Sequence, residues 1–91
     1  MLYLVSYDLM KDDKDYDRIT ARLTELKAVR VLYSEWFLIS GATSMAVYDS
    51  LKGYVDGNDK LFVTELTKNS VWRNLNISDA DAQTWFAHAR A

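Results

Sequence analysis

Apolar residues occur along this chain in two patterns: continuous runs, which are typical of buried strands, and a spacing of three and four, which is typical of one helix face. The runs cover residues 2–7, 29–40 and 61–66. Because residues 29–40 are too many for one ordinary strand of about 5–6 residues, we predict that this run separates near Ser34 and Glu35 into two strands. The pattern therefore predicts four strands.

The helical spacing begins after the first run. Tyr16, Ile19, Leu23 and Leu26 recur at intervals of three and four residues, so they would line one face of a helix. Asp15, the last residue of a charged loop over residues 11–15, can cap the start of this helix. The loop itself, with lysines between its aspartates, is typical of a solvated surface segment.

A second helix is predicted after the third strand, because Thr43 and Ser44 can cap its start. The side chains predicted to face inward from it are Ala46, Val47, Leu51 and Val55. Residues 56–59, Asp-Gly-Asn-Asp, then form a turn into the last apolar run.

The C-terminal third is less regular. Residues 67–77 are compatible with a short edge strand or with a docked loop. Ser78 and Asp81 have the spacing of a capping box, and Trp85 and Phe86 would form the apolar face of a final helix.

The predicted order is β-α-β-β-α-β with a C-terminal helical extension, which is the order of an α+β ferredoxin-like sandwich. A chain of 91 residues has room for one core, so we predict a single domain over residues 1–91. The first two helices would cover one face of an antiparallel sheet and leave the other face free to pack on a partner, as in a homodimer.

Composition narrows the function classes. The chain has 11 Lys and Arg residues against 13 Asp and Glu residues, a net charge of −2. Nucleic-acid binding through bulk electrostatics needs a basic surface, so only a local basic patch is compatible with this charge. The chain has no cysteine, which excludes disulfides, thiolate metal sites and cysteine nucleophiles. With neither a signal-peptide pattern nor an apolar run near the ~20 residues that span a bilayer, we expect a cytoplasmic protein without membrane contact.

Asp8 is the strongest candidate for chemistry, because the first strand delivers its carboxylate to the end of the sheet. A carboxylate there can bind a divalent cation, which would orient a water and neutralise charge on a phosphate. Alternatively, Asp8 accepts backbone N–H groups in the loop that follows, a common role of Asp in turns. The residues alone leave both interpretations open.

Other candidates are weaker. Arg18 and Arg22 lie four residues apart on one helix face, where their planar guanidinium groups can grip phosphates or can be plain solvent-exposed surface. Glu35 is a candidate second acid beside Asp8. Four aromatic residues are expected in the core or a dimer interface rather than stacked on bases, namely Tyr33, Trp36, Phe37 and Trp72.

Several short segments carry a family likeness. Val5-Ser6-Tyr7-Asp8, the helix with Arg18, and the stretch from Arg30 to Trp36 resemble the small CRISPR-associated Cas-two proteins. The Ser34-to-Leu38 stretch, the Asn58-to-Leu61 turn and the late Trp72 are more similar to the SinR-like family of short proteins related to them. The virulence-associated protein D family is a further relative of this group.

This resemblance implies a ferredoxin-like homodimer in which the residue matching Asp8 faces its symmetry mate, so that the pair can hold one Mg²⁺ at the dimer interface. It implies a metal-dependent nuclease acting on RNA or DNA, with Asp8 as metal ligand and catalytic residue. By position, Arg18 would contact phosphate and Ser34 would be a nearby polar helper. Arg22 is a further candidate for nucleic-acid binding only because it shares a helix face with Arg18.

The chain also departs from the Cas-two pattern. Leu32 stands where Gln is usual, Glu35 and Trp36 replace the usual Val-Phe, and the chain is acidic. Two functions therefore stay open: a metal-dependent phosphodiesterase, and a non-catalytic dimeric nucleic-acid-associated or interaction module that keeps the fold without the chemistry.

Overall fold

The structure is a computed structural model that describes residues 1–9 and 16–91. These residues contain four strands and three α-helices. In chain order the elements are β1 (Leu2–Asp8), α1 (Tyr16–Glu25), β2 (Val29–Leu32), β3 (Glu35–Ile39), α2 (Ser44–Leu51), a short 3-10 helix (Lys52–Tyr54), β4 (Lys60–Glu65) and α3 (Asp79–Phe86). The charged loop over residues 11–15, with the predicted cap Asp15, lies outside the described residues.

The strands form one antiparallel sheet in the order β2-β3-β1-β4. The predicted division of residues 29–40 is confirmed, since Leu32 pairs with Glu35 across a two-residue turn of Tyr33 and Ser34. The pairing of β2 with β3 is irregular between Arg30 and Leu32, as expected of a bulge. The fold class is therefore α+β with an all-antiparallel sheet.

One face of the sheet, called the first face, is covered by α1 and α2. Successive strand residues point to opposite faces, so alternate residues of β1 enter this layer. They pack with buried residues of both helices in a single cluster made of Tyr3, Val5, Tyr7, Leu9, Ile19, Leu23, Trp36, Leu38, Val47 and Leu51. The predicted inward face of α1 is confirmed by its two buried residues, Ile19 and Leu23.

The predicted face of α2 is right at two positions and wrong at a third. Val47 and Leu51 are buried, whereas Ala46 is exposed. Val55 is half-buried but follows the 3-10 helix, because α2 itself ends at Leu51. The predicted N-cap is confirmed, since the Thr43 side chain accepts a hydrogen bond from the backbone N–H of Ala46 at 3.1 Å.

The other face, called the second face, is not left free as predicted. Residues 66–77 form a docked loop rather than an edge strand, and α3 follows this loop over the same face. The predicted cap of α3 is confirmed, since the Ser78 hydroxyl accepts a hydrogen bond from the backbone N–H of Asp81 at 3.1 Å. These residues build a second apolar cluster around the buried side chains of Leu2, Val31, Phe37 and Ala89. The docked loop and α3 cover only one end of the second face. At the other end, residues of β1 and β4 such as Asp8 and Phe62 are exposed.

Tyr3 links the core to the start of α2. Its phenol is buried among the first-face residues and donates a hydrogen bond to the carbonyl of Ala42. Burial, and secondarily the nearby Glu65 carboxylate, raises the pKa of Tyr3 above its ordinary value of 10.0. A raised pKa in the folded state means that this contribution to stability is complete below about pH 10 and is lost as the pH rises through the folded-state pKa.

Tyr3→Phe is therefore expected to lower the free energy of unfolding by about 1 kcal/mol at pH 7, because one hydrogen bond is lost. Urea denaturation at pH 7 and pH 11 measures the effect, and the difference from wild type should shrink at pH 11. Tyr48→Phe changes an exposed ring and should stay close to wild type at pH 7. A Tyr3→Phe deficit that grows with pH would contradict this assignment.

Candidate functional site

Asp8 is the last residue of the interior strand β1, and its side chain is exposed. Its neighbour across the sheet is Lys60, the first residue of β4. Because Tyr7 packs into the first-face cluster, the adjacent Asp8 points to the second face, at its uncovered end. The carboxylate thus sits at a rigid strand end rather than in the loop that follows.

Two further charged residues share this end of the second face. Glu35 lies opposite Ser6 on β3, so it is the diagonal neighbour of Asp8, a relation that typically separates residues by about 7–8 Å. Lys60 lies directly opposite Asp8 on the other side. The sequence named Glu35 as a candidate but missed Lys60, since strand register depends on long-range pairing.

Ser34 lies beside the same strand end. Its carbonyl accepts a hydrogen bond from the backbone N–H of Tyr7 at 3.2 Å, which ties the β2–β3 turn to the end of β1. The residue is half-buried. The structure therefore places the Ser34 backbone next to Tyr7, the residue before Asp8, and a role of the Ser34 side chain as a polar helper stays a prediction.

Arg18 and Arg22 lie elsewhere. Both belong to α1 on the first face, so the sheet separates them from Asp8. The Arg18 guanidinium donates to the carbonyl of Gly53 at 2.7 Å, while Arg22 donates to the carbonyl of Ser50 at 3.4 Å and lies 5.3 Å from the Tyr54 ring centroid. These contacts connect α1 to the end of α2 and to the 3-10 helix that follows it. A role of the two arginines in nucleic-acid binding stays a prediction.

The aromatic residues divide between core and surface. Trp36 and Phe37 are buried, and the indole N–H of Trp36 donates to the Tyr7 hydroxyl at 3.1 Å. Trp72 stacks on Phe86 with ring centroids 4.9 Å apart. Tyr33, at the β2–β3 turn, is 75% exposed and so lies outside the core of the single chain, while a place in a dimer interface stays a prediction for this residue.

The donor set at Asp8 suits a hard cation. Mg²⁺ prefers oxygen ligands, keeps several waters and often uses only one or two carboxylates together with a substrate phosphate. One chain supplies a single exposed carboxylate, with Lys60 directly opposite it on β4, so metal binding at Asp8 stays a prediction. Within residues 1–9 and 16–91, no three His, Cys, Asp or Glu side chains gather into a metal-binding group.

No protein-family model matches the chain, and no solved structure matches it. Among the helices of the described residues, none is both long and apolar enough to span a bilayer. The likeness to the Cas-two and SinR-like families therefore stays a prediction.

Proposed function

We propose that this chain is a metal-dependent phosphodiesterase that acts on RNA or DNA as a homodimer, with Asp8 of both subunits holding one Mg²⁺. The observation that carries the proposal is the exposed Asp8 carboxylate at the end of an interior strand, on the uncovered part of the second face. A ferredoxin-like fold belongs to the same proposal. It is supported by the strand order β2-β3-β1-β4 and by the two crossover helices on one face.

The uncovered end of the second face also favours self-association. Phe62 on β4 is 61% exposed and points to the same face as Asp8. A two-fold contact places the same patch of both subunits together, so a contact centred near Asp8 would bring the two carboxylates toward each other. Burial of Phe62 would supply apolar area to that contact.

The residues around Asp8 have separate tasks in this proposal. The Asp8 carboxylates bind the cation, which when bound neutralises charge on the scissile phosphate. Lys60 presents an ammonium group that can contact a phosphate oxygen as a point charge. Glu35, diagonal to Asp8 on the same face, would accept a proton from a water in this proposal.

The test is cleavage of single-stranded RNA and of duplex DNA with Mg²⁺ or Mn²⁺. Asp8→Asn is expected to lower metal-dependent cleavage at least about a hundredfold, because the amide is a poorer ligand for a hard cation than the carboxylate. Asp81→Asn, at an exposed position in the first turn of α3, is the matched control and should retain wild-type activity. Equal metal-dependent cleavage by wild type and Asp8→Asn would contradict the proposed enzymatic function.

A second function, a non-catalytic dimeric nucleic-acid-associated or interaction module, is favoured by two observations. The net charge is −2, and both arginines that are candidates for nucleic-acid binding donate hydrogen bonds to backbone carbonyls of this chain. This alternative predicts a dimer in sedimentation equilibrium with no metal-dependent cleavage by wild type. Cleavage that depends on Asp8 would exclude it.

A further inference from the structure

A pocket of about 320 Å³ opens on the second face between the sheet and the docked loop of residues 66–77. Its apolar lining comes from both layers and includes Leu4, Phe37, Leu66, Trp72, Leu75 and Phe86. This volume lies at the lower end of the roughly 300–1,000 Å³ range of ligand pockets. Three lining residues are aromatic, and Trp72 and Phe86 already stack on each other with ring centroids 4.9 Å apart, so a flat ligand can extend that stack.

The pocket has a polar side and an exposed apolar rim. Glu35 is the one charged residue of its lining, and Ser70, whose hydroxyl donates to the Thr67 carbonyl at 2.7 Å, is the one lining residue with a hydroxyl group. Leu32 and Val71, which also line it, are 40% and 98% exposed. A ligand in the pocket would therefore cover apolar surface and meet a carboxylate, which accepts hydrogen bonds from amino groups.

The loop beside the pocket is positively charged in an acidic protein. Residues 66–77 contain Lys68 and Arg73 and no acidic residue, whereas the whole chain has a net charge of −2. Lys68 lines an adjoining pocket of about 380 Å³, and Ser70, Trp72 and Phe86 line both pockets. Lys68 thus lines a pocket that shares three residues with the pocket that Glu35 lines.

We infer that this pocket binds one nucleotide unit, with the base between the sheet and the docked loop and the phosphate on Lys68. The charges are complementary to such a ligand, because the amino group of cytosine donates to a carboxylate and a phosphate attracts an ammonium. The site goes beyond the proposed function, since it needs neither a metal nor Asp8 and shares only Glu35 with it. A free nucleotide and a nucleotide within a single strand share this chemistry.

The experiment titrates ligands into the full chain carrying Asp8→Asn, in EDTA, with calorimetric detection, so that cleavage plays no part. The ligands are cytidine, cytidine monophosphate, uridine monophosphate and a short oligocytidylate. Val71→Asp places a carboxylate at the exposed rim and is expected to weaken binding of cytidine monophosphate about tenfold, because the new negative charge repels the phosphate. Met45→Asp, 66% exposed on α2, is the matched control and should bind like the parent.

Two further variants separate the contacts. Lys68→Gln is expected to weaken cytidine monophosphate severalfold and to leave cytidine unchanged, because only the nucleotide carries a phosphate. Glu35→Gln is expected to reduce the preference for cytidine over uridine monophosphate. If cytidine monophosphate binds and Val71→Asp weakens its binding, the ligand is a free nucleotide. If only the oligocytidylate binds in this way, the ligand is a nucleotide within a single strand.

The inference is overturned if the parent binds none of these ligands saturably, or if Val71→Asp and Met45→Asp bind alike. Loss of cleavage by Asp8→Asn would not affect either outcome. Conversely, absence of binding in the pocket would leave the Asp8 proposal standing, so the two failures are distinguishable.

Discussion

Phe37→Ala is expected to lower the free energy of unfolding by about 3–5 kcal/mol, the range for removal of a buried aromatic ring. Phe37 is 4% exposed and belongs to β3, where its side chain fills the second cluster. Its ring meets Phe86 edge-on, with centroids 5.4 Å apart, and lies 6.4 Å from the Trp85 ring. The substitution would leave a cavity between the sheet and α3, which neither layer can close without moving.

Urea denaturation followed by circular dichroism measures this loss. Met45→Ala is the control, because Met45 is a large apolar residue of α2 that is 66% exposed and lies outside the proposed dimer contact. It should change the unfolding free energy by no more than about 0.5 kcal/mol. Similar losses for the two variants would show that the second cluster is not part of the cooperative core.

Ala89→Asp is expected to have the second large effect, at least about 3 kcal/mol, because it places a carboxylate among apolar side chains. Ala89 is 7% exposed and packs with Leu2, Val31 and Phe37. The next residue, Arg90, holds the segment in place through a two-pronged ion pair with Glu65, with its Nη2 2.8 Å from a Glu65 oxygen. The chain can relieve the buried charge by releasing the segment that follows β4.

Hydrogen exchange resolves where the loss occurs. Amides of α3 and of the docked loop should lose protection in Ala89→Asp, while those of α1 and α2 keep it, since the first-face cluster does not contain this segment. Ala87→Asp introduces the same side chain at an exposed position of the same segment and should retain protection throughout. Uniform loss of protection in Ala89→Asp would mean that both faces fold as one unit.

Those two variants probe the layer that the sequence predicted least well. The docked loop over residues 66–77 has no periodic pattern, and its place on the sheet depends on contacts with residues far along the chain, such as the hydrogen bond from the Asn76 N–H to the Val31 carbonyl. The expectation of a free second face followed from counting helices in a β-α-β-β-α-β order. The C-terminal extension supplies the cover that this count lacked.

The candidate site shows the same division. Asp8 at the end of the first strand was predicted, because an apolar run and its last polar residue are local features. The direction of the Arg18 and Arg22 side chains was not predicted. Their acceptors, the carbonyls of Gly53 and Ser50, belong to a segment that only folding brings near α1. Lys60 was missed for the same reason, as its place opposite Asp8 depends on the register of β4 against β1.

By itself, the sequence determined the strands, the buried face of α1, the division at Ser34 and Glu35, and the caps Thr43 and Ser78. Each of these depends on side-chain spacing or on hydrogen bonds within three or four residues. Only the tertiary structure decided which face the C-terminal segment covers, which residues surround Asp8, and where a pocket remains. Those outcomes depend on register and packing between distant segments, which no local pattern encodes.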